Sequence, residues 1–136
     1  MKTLLLVLAF VAAAGLVRAQ EAAFVAHPGV PDSAVSAADI KNILLGTKTN
    51  WSKGPLRLVV QTEGPVHAAV IQRYTQRSPD QFDKYWKKQV FTGKGTMPAS
   101  AKNDGEVIAF VAATPGAFGY VAPESVTDQV KRLEEK

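Results

Sequence analysis

The sequence contains no cysteine. That excludes disulfides, a thiol nucleophile and a lipid-modified cysteine, and it leaves the fold to stand on its packed core alone. Histidine is scarce, with only His27 and His67. No Gly-x-Ser-x-Gly elbow, Walker-type lysine motif or dinucleotide fingerprint is present. A metal held by the two histidines would lack an obvious third ligand, Glu63 being the nearest carboxylate. We therefore expect no catalytic residue, no metal and no cofactor, and do not expect an enzyme. A strong excess of one charge is lacking too. Sixteen basic and twelve acidic side chains give a formal net charge of +4, too mild to argue for nucleic acid or an anionic membrane. The basic residues also lack the aromatic interleaving of a nucleic-acid groove. Beyond residues 4–14 there is no long apolar run, so no membrane span is expected in the mature chain.

What is present begins with an export signal. Lys2 gives a positive start, residues 4–14 an apolar stretch, and Val17-Arg18-Ala19 a cleavage region. Residues 1–19 therefore read as a secretory signal peptide, cleaved after Ala19 and directing the protein to export. Residues 20–136 are expected to form one domain, with a core over 24–121 and a last helix or tail over 125–136.

The chain is organised around residues 78–95. Ser78, Pro79 and Gln81 form a complete helix start. Phe82, Tyr85, Trp86 and Val90 follow at helical spacing, giving an aromatic face. Gly93-Lys94-Gly95 ends the helix in a loop with one cation, a candidate anion contact. Arg73, Arg77, Lys84, Lys87, Lys88 and Lys94 gather here and read as a solvated face. Other helices are expected from Ser36 to Gly46, from about Val66 to Gln76, and after Asn103 with Glu106 in its first turn. The clear strands are Phe24-Val25-Ala26, residues 56–61 and Phe118-Gly119-Tyr120-Val121. Trp51 is expected to cover the core edge.

Alternating strands and helices predict an α/β layered domain with a mostly parallel sheet flanked by helices. Thr62-Glu63-Gly64-Pro65 joins a strand to a helix start, where free backbone N–H groups underlie many anion sites. His27 and His67 each follow a strand, which places both at the ligand-binding, C-terminal edge of such a sheet.

The succession Phe24-Val25-Ala26-His27-Pro28, the helix ending Ile43-Leu44-Leu45-Gly46-Thr47-Lys48-Thr49-Asn50-Trp51, Phe91-Thr92-Gly93-Lys94-Gly95, and Thr114-Pro115-Gly116-Ala117-Phe118-Gly119-Tyr120-Val121 resembles phosphate ABC-transporter substrate-binding proteins. These belong to the type II periplasmic binding-protein superfamily, and the likeness is to a short, single-lobe member. The resemblance implies one lobe of a two-lobed clamp, with a ligand site at Thr62, Glu63, Gly64, His67 and Lys94. It departs from the family at that turn, where Pro65 and His67 stand in place of hydroxyl and guanidinium groups. The function it implies is binding of phosphate or another small anion for transport or sensing. The alternative is a non-transporting periplasmic interaction or adaptor protein that kept the lobe and lost the ligand. Implied partners are a small phosphate-like anion, an ABC permease or other periplasmic protein, and a second copy forming a homodimer.

Overall fold

The computed structural model describes residues 21–136. The signal-peptide reading of residues 1–19 lies outside the described residues. Six strands form one sheet: β1 (Ala23–Ala26), β2 (Ala34–Val35), β3 (Arg57–Gln61), β4 (Ala99–Ala101), β5 (Ala117–Val121) and β6 (Lys131–Glu135), in the order β2-β6-β1-β5-β3-β4. The sheet is mostly parallel. β3 runs parallel to β4 and β5, and β2 parallel to β6. Only β1 is reversed, antiparallel to both β5 and β6.

The helices are α1 (Ala37–Leu44), α2 (Pro65–Thr75), α3 (Pro79–Phe91) and α4 (Asp104–Ala113). Their starts follow from local chemistry. The Ser36 hydroxyl accepts from the Asp39 N–H, and the Asp39 carboxylate accepts from the Ser36 N–H. Ser78 and Gln81 make the same reciprocal pair for α3, with Pro79 in its first turn. Asn103 caps α4 through the Glu106 N–H, while the Glu106 carboxylate reaches the Lys102 N–H instead of closing the box.

Alternation along the strands divides the core into two layers. Phe24, Ala26, Phe118, Tyr120 and Leu133 face α1, α2 and α3, meeting Ile40, Ile43, Leu44, Val70, Ile71, Phe82 and Trp86. Val25, Val59, Ala117 and Val121 face α4 through Val107, Ile108 and Val111. The first layer is aromatic, with Phe24 stacked on Phe118 at 5.8 Å and edge-on to Tyr74 at 5.3 Å. The second is aliphatic and tight. A Cβ on Gly119 would fall 2.7 Å from Val107 and 2.9 Å from Val59, so only glycine lets α4 approach β5. Trp51 covers the core edge as expected, its indole N–H donating to the Gly116 carbonyl at 2.9 Å.

Three expectations are corrected. Residues 125–136 do not form a last helix. Pro123–Ser125 is a 3₁₀ turn and Lys131–Glu135 is strand β6, because β1 offers an open edge on which Leu133 buries against Phe24. Val90 lies outside the buried stripe at 42% exposed, so the stripe of α3 ends at Trp86. His27 and His67 do not share an edge. β1 runs against β3, so His27 follows β1 at the end where β5 begins, its N–H bonded to the Ala117 carbonyl, whereas His67 lies just beyond the end of β3. Among the described residues, no three His, Asp or Glu side chains cluster as metal ligands would.

Candidate functional site

The β3–β4 edge of the sheet is incompletely covered, and Phe110 of α4 reaches it from the other face. α3 crosses it with Phe82 and Trp86, and the loop between α3 and β4 closes it from the other side with Met97 and Pro98. Two cavities open there, and Trp86, Met97 and Pro98 line both. One lies by the start of β3, the other by its end.

The cavity at the start of β3 has a volume of about 500 Å3. Lys48, Arg57 and Lys94 line it, together with Ile43, Leu56, Leu58 and Phe110, and no carboxylate does. Among the described residues the salt bridge is Lys87–Asp83 at 2.8 Å, so none of these three cations is in a direct salt bridge, although Lys48 feels the Asp39 carboxylate. The loop bearing Lys94 is shaped by packing. Gly93 closes α3 at φ 73°, with its N–H on the Val90 carbonyl and the Lys94 N–H on that of Gln89. Gly46 and Gly95 flank the Trp86 ring, where added methyls would approach it to 2.5 and 3.3 Å. The Trp86 indole N–H donates to the Leu44 carbonyl at 3.0 Å. The two glycines beside Lys94 thus serve a helix end and an indole.

The cavity at the end of β3, about 480 Å3, is lined by Val60, Gln61, Thr62, His67, Asp80, Asp83 and Ser100, beside the shared residues. α2 begins here after Gly64, whose φ of 99° requires glycine and whose cap carries no side-chain bond; Pro65 at the first position adds no N–H. His67 is 5% exposed. Its Nδ1 lies 2.7 Å from the Tyr120 hydroxyl, which already accepts from the Gln61 N–H at 3.0 Å. The phenol oxygen can accept a second hydrogen bond as well as donate one, so this contact joins the two side chains without fixing which of them carries the shared proton. Burial pushes the His67 imidazole below its ordinary range and the Tyr120 phenol above its own. The network continues inward. Gln61 Nε2 donates to the Tyr120 carbonyl at 2.9 Å and to Asp104 at 2.8 Å; Asp104 also accepts from the Ala122 N–H and the Ser125 hydroxyl.

The residues expected to act together are therefore divided. Thr62 and His67 line one cavity and Lys94 the other. Glu63 and Gly64 are exposed on the turn before α2. Sequence reasoning missed Lys48 and Arg57, because only tertiary packing brings the end of α1 and the start of β3 beside the α3–β4 loop. It also missed Asp80 and Asp83. Their place on the outer side of an aromatic helix was the available signal.

This chain matches no protein-family profile and no curated protein. Its fold does match solved structures. One, described as a phosphate ABC transporter substrate-binding protein with bound phosphate from Clostridium perfringens, is 21% identical at a TM-score of 0.58, over 84% of this chain and 44% of that one. An ABC-type phosphate transport receptor from Vibrio cholerae is 15% identical at 0.58, over 84% and 45%. PstS from Borrelia burgdorferi is 15% identical at 0.57, over 85% and 47%. The chain thus has the α/β fold of a single lobe of these receptors and spans less than half the length of each.

Proposed function

We propose that this is an extracytoplasmic solute-binding lobe that takes phosphate or another small anion for transport or sensing, with an ABC permease or another periplasmic protein as partner. The fold shared with phosphate receptors supports the class. The observation that carries the reading is the cavity where Lys48, Arg57 and Lys94 converge without a carboxylate. Three cations from separate segments, two exposed and Lys48 half-buried, sum their fields at one cavity and so draw an anion there. Lys94 is the member of the expected site that supplies this charge. Thr62 adds a hydroxyl and His67 a neutral imidazole at the far end of the groove, and Glu63 and Gly64 shape the turn. The neutral His67 and the carboxylates near it make that end the weaker anion contact. Among the described residues no helix is long and apolar enough to cross a membrane.

Isothermal titration with phosphate, sulfate and small organic acids tests the reading. Heat is expected with at least one of them, and it should disappear in the Lys48→Ala/Lys94→Ala double variant. Silence with every anion would overturn it. A second reading, an adaptor that kept the lobe and lost the ligand, is favoured by Phe91, which is 92% exposed at the end of α3. An aromatic ring held in water beside a partly exposed Val90 suits a protein partner, a second copy of the chain included. A mass in solution that rises with concentration, and falls back on Phe91→Ser substitution, would support that reading.

A further inference from the structure

Among the described residues the large apolar side chains left exposed are Val90, Phe91 and Met97, all at the end of α3 or in the loop after it. Single exposed apolar groups are ordinary on a surface, but three within eight residues mark a contact. Their setting is basic. Residues 84–103 hold Lys84, Lys87, Lys88, Lys94 and Lys102, all exposed, and no acidic residue. Lys84, Lys88 and Phe91 follow one another at spacings of four and three, so they share a face of α3. Phe82 and Trp86, the buried pair, lie on the opposite face. The outer face of the helix thus presents an aromatic ring among lysines. Lys84 and Lys88 are in no salt bridge among the described residues, whereas Asp83 is neutralised by Lys87 at 2.8 Å. Asp80 precedes Phe91 by eleven residues, about 16 Å along the helix axis, which is beyond the screening length of about 8 Å at physiological salt.

An acidic protein and an anionic bilayer are the two surfaces that could meet such a face, and the cations decide between them. Protein interfaces favour arginine, whose planar fork pairs with a carboxylate, and are poor in lysine. Here every cation is a lysine. A lysine is a point charge on a flexible stem, which adapts to a diffuse layer of headgroups and lies along apolar surface while its ammonium stays in water. We propose that the end of α3 seats the protein on an anionic membrane surface, with Phe91 entering the acyl boundary and Lys84 and Lys88 on the headgroup phosphates. The charge of the whole chain is mild, and its concentration at this helix end is what the bilayer attracts. The chain has no cysteine to carry a lipid, and one ring with a few lysines makes a reversible seat rather than a permanent anchor.

The test is flotation of the full chain with vesicles of phosphatidylcholine alone and of phosphatidylcholine with one third phosphatidylglycerol, at low and high salt. Stronger binding to the charged vesicles is expected, and salt should weaken it. At about fivefold per lysine, Lys84→Ala/Lys88→Ala should weaken it about twenty-five-fold, and Phe91→Ser about tenfold. Phe91→Trp should be quenched by bromine on the acyl chains, whereas the buried Trp51 and Trp86 of the parent should not. Binding indifferent to lipid charge and to these substitutions, as residues 4–14 alone would give, overturns the proposal. Absence of binding to either vesicle overturns it too. If vesicles are ignored while the mass in solution rises with concentration and falls back in Phe91→Ser, the face belongs to a protein partner and the proposal fails.

Discussion

The two ends of the groove carry comparable space but are built by different means. At the Lys94 end three cations from separate segments stand at the surface outside any direct salt bridge, Lys94 on a loop shaped by Gly93, Gly95 and the Trp86 ring. At the His67 end the imidazole is fixed by Tyr120, 53 positions further along the chain, through a network that runs on to Asp104. The contrast separates charge from architecture. The cations can be removed with little effect on folding, so their removal reports on binding. The buried donors cannot, so their removal reports first on stability.

The change that most disrupts both ends is Trp86→Ala. Trp86 is buried between two glycines and lines both cavities, and its loss should cost about 3–5 kcal/mol in denaturant unfolding. An intact midpoint would show that the shared floor is not structural. Tyr120→Phe should act on one end only. It leaves the buried Gln61 N–H without an acceptor and frees His67 Nδ1, at about 1–3 kcal/mol. A neutral result would mean that water replaces the phenol.

Acid should separate the ends further. The native pKa of His67 is lowered by burial from an ordinary value of 6.5. Below that pH the unfolded chain takes up a proton that the native imidazole refuses, so stability should fall as pH falls through 6.5 and level off once the native pKa is passed. His67→Gln should flatten that portion of the curve. Asp39, lowered chiefly by its hydrogen bond from the Ser36 N–H, acts lower. Its stabilisation is full above 3.8 and is lost as pH falls through its native pKa. A curve unchanged by His67→Gln would break the link between burial and titration.

Smaller effects belong to the cationic end. Gly93→Ala forces an L-residue to φ 73° in open space, and should cost about 1 kcal/mol without a clash. Lys94→Ala should stay within about 0.5 kcal/mol of the parent while weakening anion binding. A larger loss of stability would show that the lysine has a structural partner.

Much of this was legible in the chain because it is local. Ser36, Ser78 and Asn103 announce helix starts through bonds three residues long, and Phe82 with Trp86 marks the buried stripe of α3. β4 and β2 were not legible. Three residues and two residues carry no period, and they become strands only because β3 and β6 offer them edges. Tail residues 131–135 bury only Leu133, between exposed Arg132 and Glu134, while Val126, Val130 and Leu133 also fit a helix, and β1 settles the choice. The site followed the same division. Thr62, His67 and Lys94 could be named, but not their separation.

The sequence by itself determined the four helices, the capped starts of α1, α3 and α4 and the α/β class, because each depends on neighbours within about four residues or on the period of burial. Tertiary structure alone decided that β1 runs backwards, which sends His27 to one end of the sheet and leaves His67 at the other. It alone set three cations from separate segments around one cavity and two carboxylates beside the next. Strand direction and charge proximity are fixed by pairing across long separations, and no local pattern in a chain encodes them.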